Sequence, residues 1–148
     1  MAPMTFVDAN VPIYAAGRAH PLKEPCVQVL LLVAEHPESF VTDAEVLQEL
    51  LPRYLALRLW PQGREAFHRF SEILHDRIEA VQADDVQRAA ILASTHQKLG
   101  ARDLLHADVM HRLGVRRIVS ADTGFDLLPQ VERLDPAQAS NWRSLVIQ

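Results

Sequence analysis

The sequence predicts an α/β protein of three layers, α/β/α, with a parallel sheet between two layers of helices. Three observations lead there. Short apolar runs alternate along the chain with segments whose apolar residues recur at helical spacing, and strands alternating with helices make a parallel sheet joined by right-handed crossovers. Two of the apolar runs lead into aspartates, Asp8 and Asp122, at the carboxyl ends of strands, where sheets of this kind bind their ligands. Finally, 148 residues of which 49% are hydrophobic suffice for one substantial core, so residues 1–148 are expected to form a single domain.

Met4 to Val7 reads as the first buried strand, ended by the turn signal Asp8-Ala9-Asn10-Val11-Pro12, and Pro12 starts a short helical turn. Pro25 to Glu35 has helical periodicity with Val29, Leu30, Leu32 and Val33 inward, closed by His36-Pro37. Ser39 to Val41 is the second strand, and Thr42 or Asp43 caps a helix carrying Val46, Leu47, Leu50, Leu51, Tyr54 and Leu55, kinked at Pro52. Pro61 opens a helix to about His75 with Phe67, Phe70 and Leu74 inward. Arg77 to Val81 is the third strand. Asp84 or Asp85 caps a helix from Val86 to Leu99, with Gly100 as its left-handed stop. Asp103 caps Leu104 to Leu113, which Gly114 stops. Arg116 to Val119 is the fourth strand and Val131 to Leu134 the fifth, while the tail from residue 136 to 148 carries no clear pattern.

Composition excludes several classes. The longest uninterrupted apolar run, Val29 to Ala34, is far short of the roughly 20 residues a spanning helix needs, so no membrane association is expected. Phe6-Val7 leads directly into Asp8 with no basic segment before it, so no secretory signal is read and the cytoplasm is the expected location. The lone Cys26 forms no internal disulfide, suits a reducing compartment and excludes a Cys-rich zinc site. A net charge of −4 argues against a protein that coats nucleic acid through an overall positive field, but not against a nuclease. Of the 15 basic residues only Lys23 and Lys98 are lysines, so the cationic groups are mostly guanidinium forks suited to phosphate.

Each acidic residue has an ordinary explanation by itself. Asp8 serves a turn or cap, Asp103 caps a helix, and Asp122 and Asp126 sit in turns. Glu45 and Glu49 both lie off the apolar stripe of their helix, and periodicity does not choose between them. The coincidence carries more weight: Asp8 and Asp122 close two strands, and Asp103 opens the helix that leads into the second of them. Carboxylates packed at one sheet edge repel unless a cation or raised pKa values relieve them. An all-oxygen set suits Mg²⁺ or Mn²⁺.

Four segments carry a resemblance. Phe6-Val7-Asp8-Ala9-Asn10-Val11, Glu45-Val46-Leu47-Gln48-Glu49-Leu50, Ala101-Arg102-Asp103-Leu104-Leu105-His106-Ala107 and Ile118-Val119-Ser120-Ala121-Asp122-Thr123-Gly124-Phe125-Asp126 resemble, in order, the signature segments of PIN domains, and in particular of VapC-type toxin ribonucleases, over residues 4–135. The resemblance implies a PIN-like fold and a Mg²⁺- or Mn²⁺-dependent endoribonuclease. It places Asp8, Glu49, Asp103 and Asp122 at the catalytic, metal-binding acidic positions, Asp126 as a frequent fifth ligand, and Asn10 and Ser120 as their supports. It also implies a small antitoxin partner, an RNA substrate and a homodimer. Arg102, Arg116 and Arg117 lie near these elements as candidate phosphate contacts, against the alternative of solvated helix and strand ends.

The sequence departs from the family pattern at Asp43, where Ser or Thr is common, at Pro52 within a helix, and at Asp108, which either adds a ligand or faces solvent. His106 and His111 are five apart, off the i,i+4 spacing of a helical metal site, and read as surface or core packing. Two other functions compete. A receiver-like Mg²⁺-binding signalling module needs an acidic pair after the first strand, whereas Asp84-Asp85 precedes a helix. A catalytically inactive PIN binding module would more naturally have lost signature carboxylates.

Overall fold

A computed structural model describes residues 3–147. Its sheet has five strands, β1 (Thr5–Val7), β2 (Phe40–Asp43), β3 (Ile78–Glu79), β4 (Arg117–Val119) and β5 (Glu132–Leu134), in the order β3-β2-β1-β4-β5. Every pairing is parallel. The helices are α1 (Asn10–Ala16), α2 (Lys23–Glu35), α3 (Ala44–Ala56), α4 (Trp60–Ile73), α5 (Ala83–Ala93), α6 (Ala101–Leu113) and α7 (Ala139–Val146). No helix among the described residues is long and apolar enough to cross a membrane.

The strand order explains where a site can form. From β1 the chain moves outward through β2 to β3, then returns to the other side of β1 with β4 and β5. The connections therefore diverge between β1 and β4, opening a crevice at the carboxyl ends of those strands. Phe6, Val7, Phe40, Val41, Ile118 and Val119 are essentially inaccessible, as expected of parallel strands covered on both faces.

The structure corrects several boundaries. The second strand runs on to Asp43, which is strand and helix cap at once: its Oδ1 accepts the Val46 N–H at 2.9 Å. α3 continues through Pro52 to Ala56. α5 stops at Ala93, and its cap is Gln82 in a reciprocal box with Asp85. Gly100 is no left-handed stop. With φ −70° it is the N-cap of α6, because the turns over residues 94–99 have already ended the preceding helix. Asp103 consequently lies inside the first turn of α6, where its charge still suits the positive end of the helix. Gly114, at φ +71°, is the expected left-handed stop. The unpatterned tail folds as α7, anchored by buried Trp142, whose indole N–H donates to the Asp135 carbonyl at 2.8 Å.

α6 is enclosed almost all round, with Leu104, His106, Ala107, Asp108, Val109 and Met110 buried. Asp108 neither faces solvent nor joins the carboxylates at the sheet edge. It pairs with Arg88 of α5 at 3.1 Å, beside the fully buried Asp85, which takes Arg88 at 3.1 Å and Arg112 at 3.0 Å. This ionic group ties α5 to α6.

Candidate metal centre

Asp8 follows β1 and is buried, and its carboxylate is held from three sides. Oδ2 accepts from Ser120 Oγ at 2.6 Å and from Asn10 Nδ2 at 3.1 Å, while Oδ1 accepts the Ala9 N–H at 2.8 Å. Asn10 also donates to Ser120 Oγ at 3.0 Å and accepts the Ala121 N–H at 3.2 Å. Ser120 Oγ further accepts the Asp122 N–H at 3.0 Å. The β1 and β4 ends are thereby locked together, and Asp8 has one orientation. Burial, reinforced by the Glu49 charge, raises its pKa against the opposing effects of His106 and Ser120.

Asp122 caps the short turn after β4, its Oδ1 accepting the Gly124 N–H at 2.8 Å. Across the crevice, Asp103 comes down from the first turn of α6 and hydrogen-bonds to it. Two carboxyl groups bond this way only if one keeps a proton. Burial, then the hydrogen bond and charge of Asp122, push Asp103 up to about 8. The same bond holds Asp122 below the usual carboxylate range.

This pairing has a thermodynamic consequence for the metal-free protein. The folded state keeps the proton to about pH 8, whereas the unfolded chain releases it near pH 4, so folding takes up a proton between these values. Stability therefore falls as pH rises through that window. Asp103→Asn, which needs no proton, is expected to flatten the slope and raise the melting temperature at pH 8 by about 3–6 °C, the equivalent of roughly 1–2 kcal/mol. Melting curves at pH 5, 6.5 and 8 in chelator test this, and an unchanged slope in the variant would place the proton elsewhere.

The other side of Asp8 is occupied by His106, which the sequence assigns to surface or core packing and which is completely buried but packed against carboxylates. Its Nδ1–H donates to Asp43 Oδ2 at 2.8 Å, and its Nε2 lies 3.3 Å from Glu49 Oε2 and 3.9 Å from Asp8 Oδ1. Burial disfavours the charged ring, but the hydrogen bonds to Asp43 and Glu49 and the charges of Asp43 and Asp8 outweigh it, and its pKa lies well above the ordinary histidine value. Glu49 is half-buried and is also approached by Arg102 at 3.6 Å, as is Glu45. Of the two glutamates, Glu49 is the one that reaches His106. The spacing that matters for His106 is i,i+3 from Asp103, not the five residues to His111, and it puts Asp103 and His106 on one face of α6. Asp43, the departure from the family pattern, is the partner of that histidine.

The remaining candidates lie elsewhere. Asp126 is exposed and paired with Arg133 at 3.1 Å, outside the cluster. Arg133 in turn donates to the Ser120 carbonyl at 3.1 Å. Arg116 and Arg117 stand at the amino end of β4, away from the crevice, because the strand runs from them toward Ser120. Arg117 pairs with Glu132 at 3.1 Å.

A cluster of this kind can hold a hard divalent cation, and its burial and like charge favour one. Residues 5–130 match the family model described as PIN domain. The chain is 43% identical over 122 residues to ribonuclease VapC23 of Mycobacterium tuberculosis, covering 80% of this chain and 93% of that one. Among solved structures, its fold resembles that of Mycobacterium tuberculosis VapC20, a sarcin-ricin loop cleaving toxin, with TM-score 0.70 and 20% identity over 84% of this chain and 95% of the other. It also resembles VapBC2 from Rickettsia felis bound to a DNA fragment from their promoter, with TM-score 0.65 and 20% identity over 89% and 99% of the two chains.

Proposed function

This chain belongs to the PIN-domain family, and from that premise we propose that it is a Mg²⁺- or Mn²⁺-dependent endoribonuclease, the toxin of a VapBC-type pair. The carrying observation is the gathering of Asp8, Asp103 and Asp122, with Glu49 beside Asp8, at the β1–β4 crevice of a chain similar over most of its length to VapC ribonucleases. Asp8, Asp103 and Asp122 are the residues to hold the ion, and Glu49 completes the acidic set.

When bound, a divalent ion supplies electrophilic stabilisation of the phosphoryl oxygens and lowers the pKa of the attacking water. The chain's own residues prepare for that. Ser120 and Asn10 keep the Asp8 oxygens aimed into the crevice. Asp103 and Asp122 would hold the ion as carboxylates, so the proton they share in its absence would be released. In this reading Arg102, half exposed at the rim, donates to an RNA phosphate on releasing its long ion pairs to Glu45 and Glu49. Arg116 and Arg117, at the other end of β4, have no part in this assignment.

An antitoxin partner belongs to the same reading, supported by the likeness in fold to VapBC2. So do a homodimer and a cytoplasmic setting, the latter in keeping with the single, free, buried Cys26. The test begins with metal binding. An ion that binds only the folded cluster at tenfold above its Kd adds about 1.4 kcal/mol of stability, so Mn²⁺ or Mg²⁺ is expected to raise the melting temperature by roughly 3–6 °C. Labelled single-stranded RNA should be cleaved with either ion and spared in chelator. Metal binding without cleavage would favour the inactive binding module, and a melting curve indifferent to millimolar metal would remove the metal-dependent reading.

A further inference from the structure

On one side of the crevice Asp103 pairs with Asp122, oxygen on oxygen, and the charge of Asp8 acts on Asp103. On the other, Asp8 Oδ1, Glu49 Oε2 and His106 Nε2 all lie within 4.8 Å of one another. In an octahedral shell with bonds of about 2.1 Å, neighbouring ligand atoms are about 3 Å apart and opposite ones about 4.2 Å. The Nε2 distances of 3.3 Å to Glu49 and 3.9 Å to Asp8 fall between these limits.

The histidine is built as a ligand is built. Asp43 accepts its Nδ1–H at 2.8 Å, and Asp43 is itself pinned by the Val46 N–H at 2.9 Å. A buried carboxylate behind the ring, fixing its tautomer and turning Nε2 outward, is the arrangement that supports metal-bound histidines. The ring packs on Phe6, with centroids 5.3 Å apart, and is fully buried, so its orientation is fixed before any ion arrives. At its far nitrogen the ring meets two further carboxylates, half-buried Glu49 and buried Asp8.

We propose that Asp8, Glu49 and His106 form a second cation position with an imidazole nitrogen donor, and that it selects a first-row transition ion such as Mn²⁺ over Mg²⁺. The preference follows from the ligand: imidazole suits transition ions, while Mg²⁺ favours carboxylate, carbonyl and water. To bind the ion His106 would give up its Nε2 proton, which would leave to solvent. An ion held there, beside one held by the oxygen-only carboxylates, would supply the pair of cations that two-metal phosphodiester hydrolysis uses. The inference rests on the metal-dependent reading above, but it is separable from it by experiment.

The decisive measurement is pulsed electron paramagnetic resonance of the full chain loaded with Mn²⁺, which detects ¹⁴N coupling from a directly bound imidazole. The expected result is a ¹⁴N coupling in the wild type, its loss in His106→Gln, and a Mn²⁺ affinity reduced about 10-fold or more in that variant with Mg²⁺ affinity nearly unchanged. Asp43→Asn, which keeps the ligand but weakens its support, should lower Mn²⁺ affinity by about 10–100-fold and alter the coupling. Mn²⁺ bound to the wild type without ¹⁴N coupling would overturn the proposal and leave the oxygen-only site standing. A coupling that survives in folded His106→Gln would also overturn it, since another histidine would then be the donor. If His106→Gln does not fold, the wild-type spectrum and Asp43→Asn decide. Failure of the wild type to bind Mn²⁺ at all would overturn this proposal together with the metal-dependent function.

Discussion

Asp8→Asn and Asp122→Asn are expected to fold and to lose metal-dependent cleavage of single-stranded RNA by on the order of 10²–10³-fold, the scale on which removing one group that stabilises transition-state charge is felt. In Asp122→Asn the amide oxygen can still accept the Gly124 N–H, so the turn after β4 is kept. In Asp8→Asn the amide oxygen can keep the Ala9 N–H, but an NH₂ replaces the oxygen that faces Ser120 and Asn10. Ser120 can rotate to accept; the Asn10 amide would have to turn over. A small loss of stability is therefore expected at position 8, while Asp122→Asn should cost little because it also relieves charge near Asp103. Circular dichroism establishes folding, and single-turnover cleavage in Mg²⁺, Mn²⁺ and chelator gives the loss. Asp84→Asn, an exposed first-turn residue of α5, serves as the control. Undiminished cleavage by folded Asp8→Asn would sink the proposed mechanism.

The largest effect on stability is expected at a residue with no place in the chemistry. Asp85 is inaccessible to solvent and accepts from Arg88, Arg112 and the Gln82 N–H. Asp85→Ala leaves two guanidinium groups without their shared anion and opens the α5 cap. Removing one partner of a buried ion pair costs roughly 3–5 kcal/mol, and the lower end is expected here, because Arg88 and Arg112 retain 42% and 22% exposure and can regain water. That corresponds to a fall in melting temperature of about 6–12 °C, with cleavage per folded molecule unchanged below the transition. Burial opposes ionisation of Asp85, yet the hydrogen bonds from Arg112 and Gln82 and the two arginine charges overcome it and hold its pKa below the ordinary value. Its contribution is thus complete above about pH 4 and disappears as pH falls through the lowered pKa. The wild type should lose stability on acidification through this range, and Asp85→Ala should lose less. A fall of under 2 °C at pH 7 would show that the ionic group contributes little. Asp108, paired with Arg88 in the same group, likewise reports on α5–α6 packing rather than on metal binding.

The sequence by itself determined the fold class and most of the sheet. Apolar runs at Phe6-Val7, Phe40-Val41 and Ile118-Val119 are enough to mark strands covered on both faces, since burial of an extended segment depends on its local composition. It also determined that Asp8 and Asp122 follow strands, and hence that both stand at the carboxyl edge of a parallel sheet. Tertiary structure decided what periodicity does not encode. The choice of Glu49 over Glu45 at His106 depends on how α3 faces α6. α6 carries no apolar stripe that would announce its burial, because Asp108 and His106 are inside it and are satisfied by Arg88 and Asp43, groups 20 and 63 residues away. Local signals specify where a helix begins and which face is greasy. Whether a buried imidazole or carboxylate is tolerable depends on a counter-charge delivered from another element, and in this protein that requirement joins Asp43, Glu49 and His106 into one group.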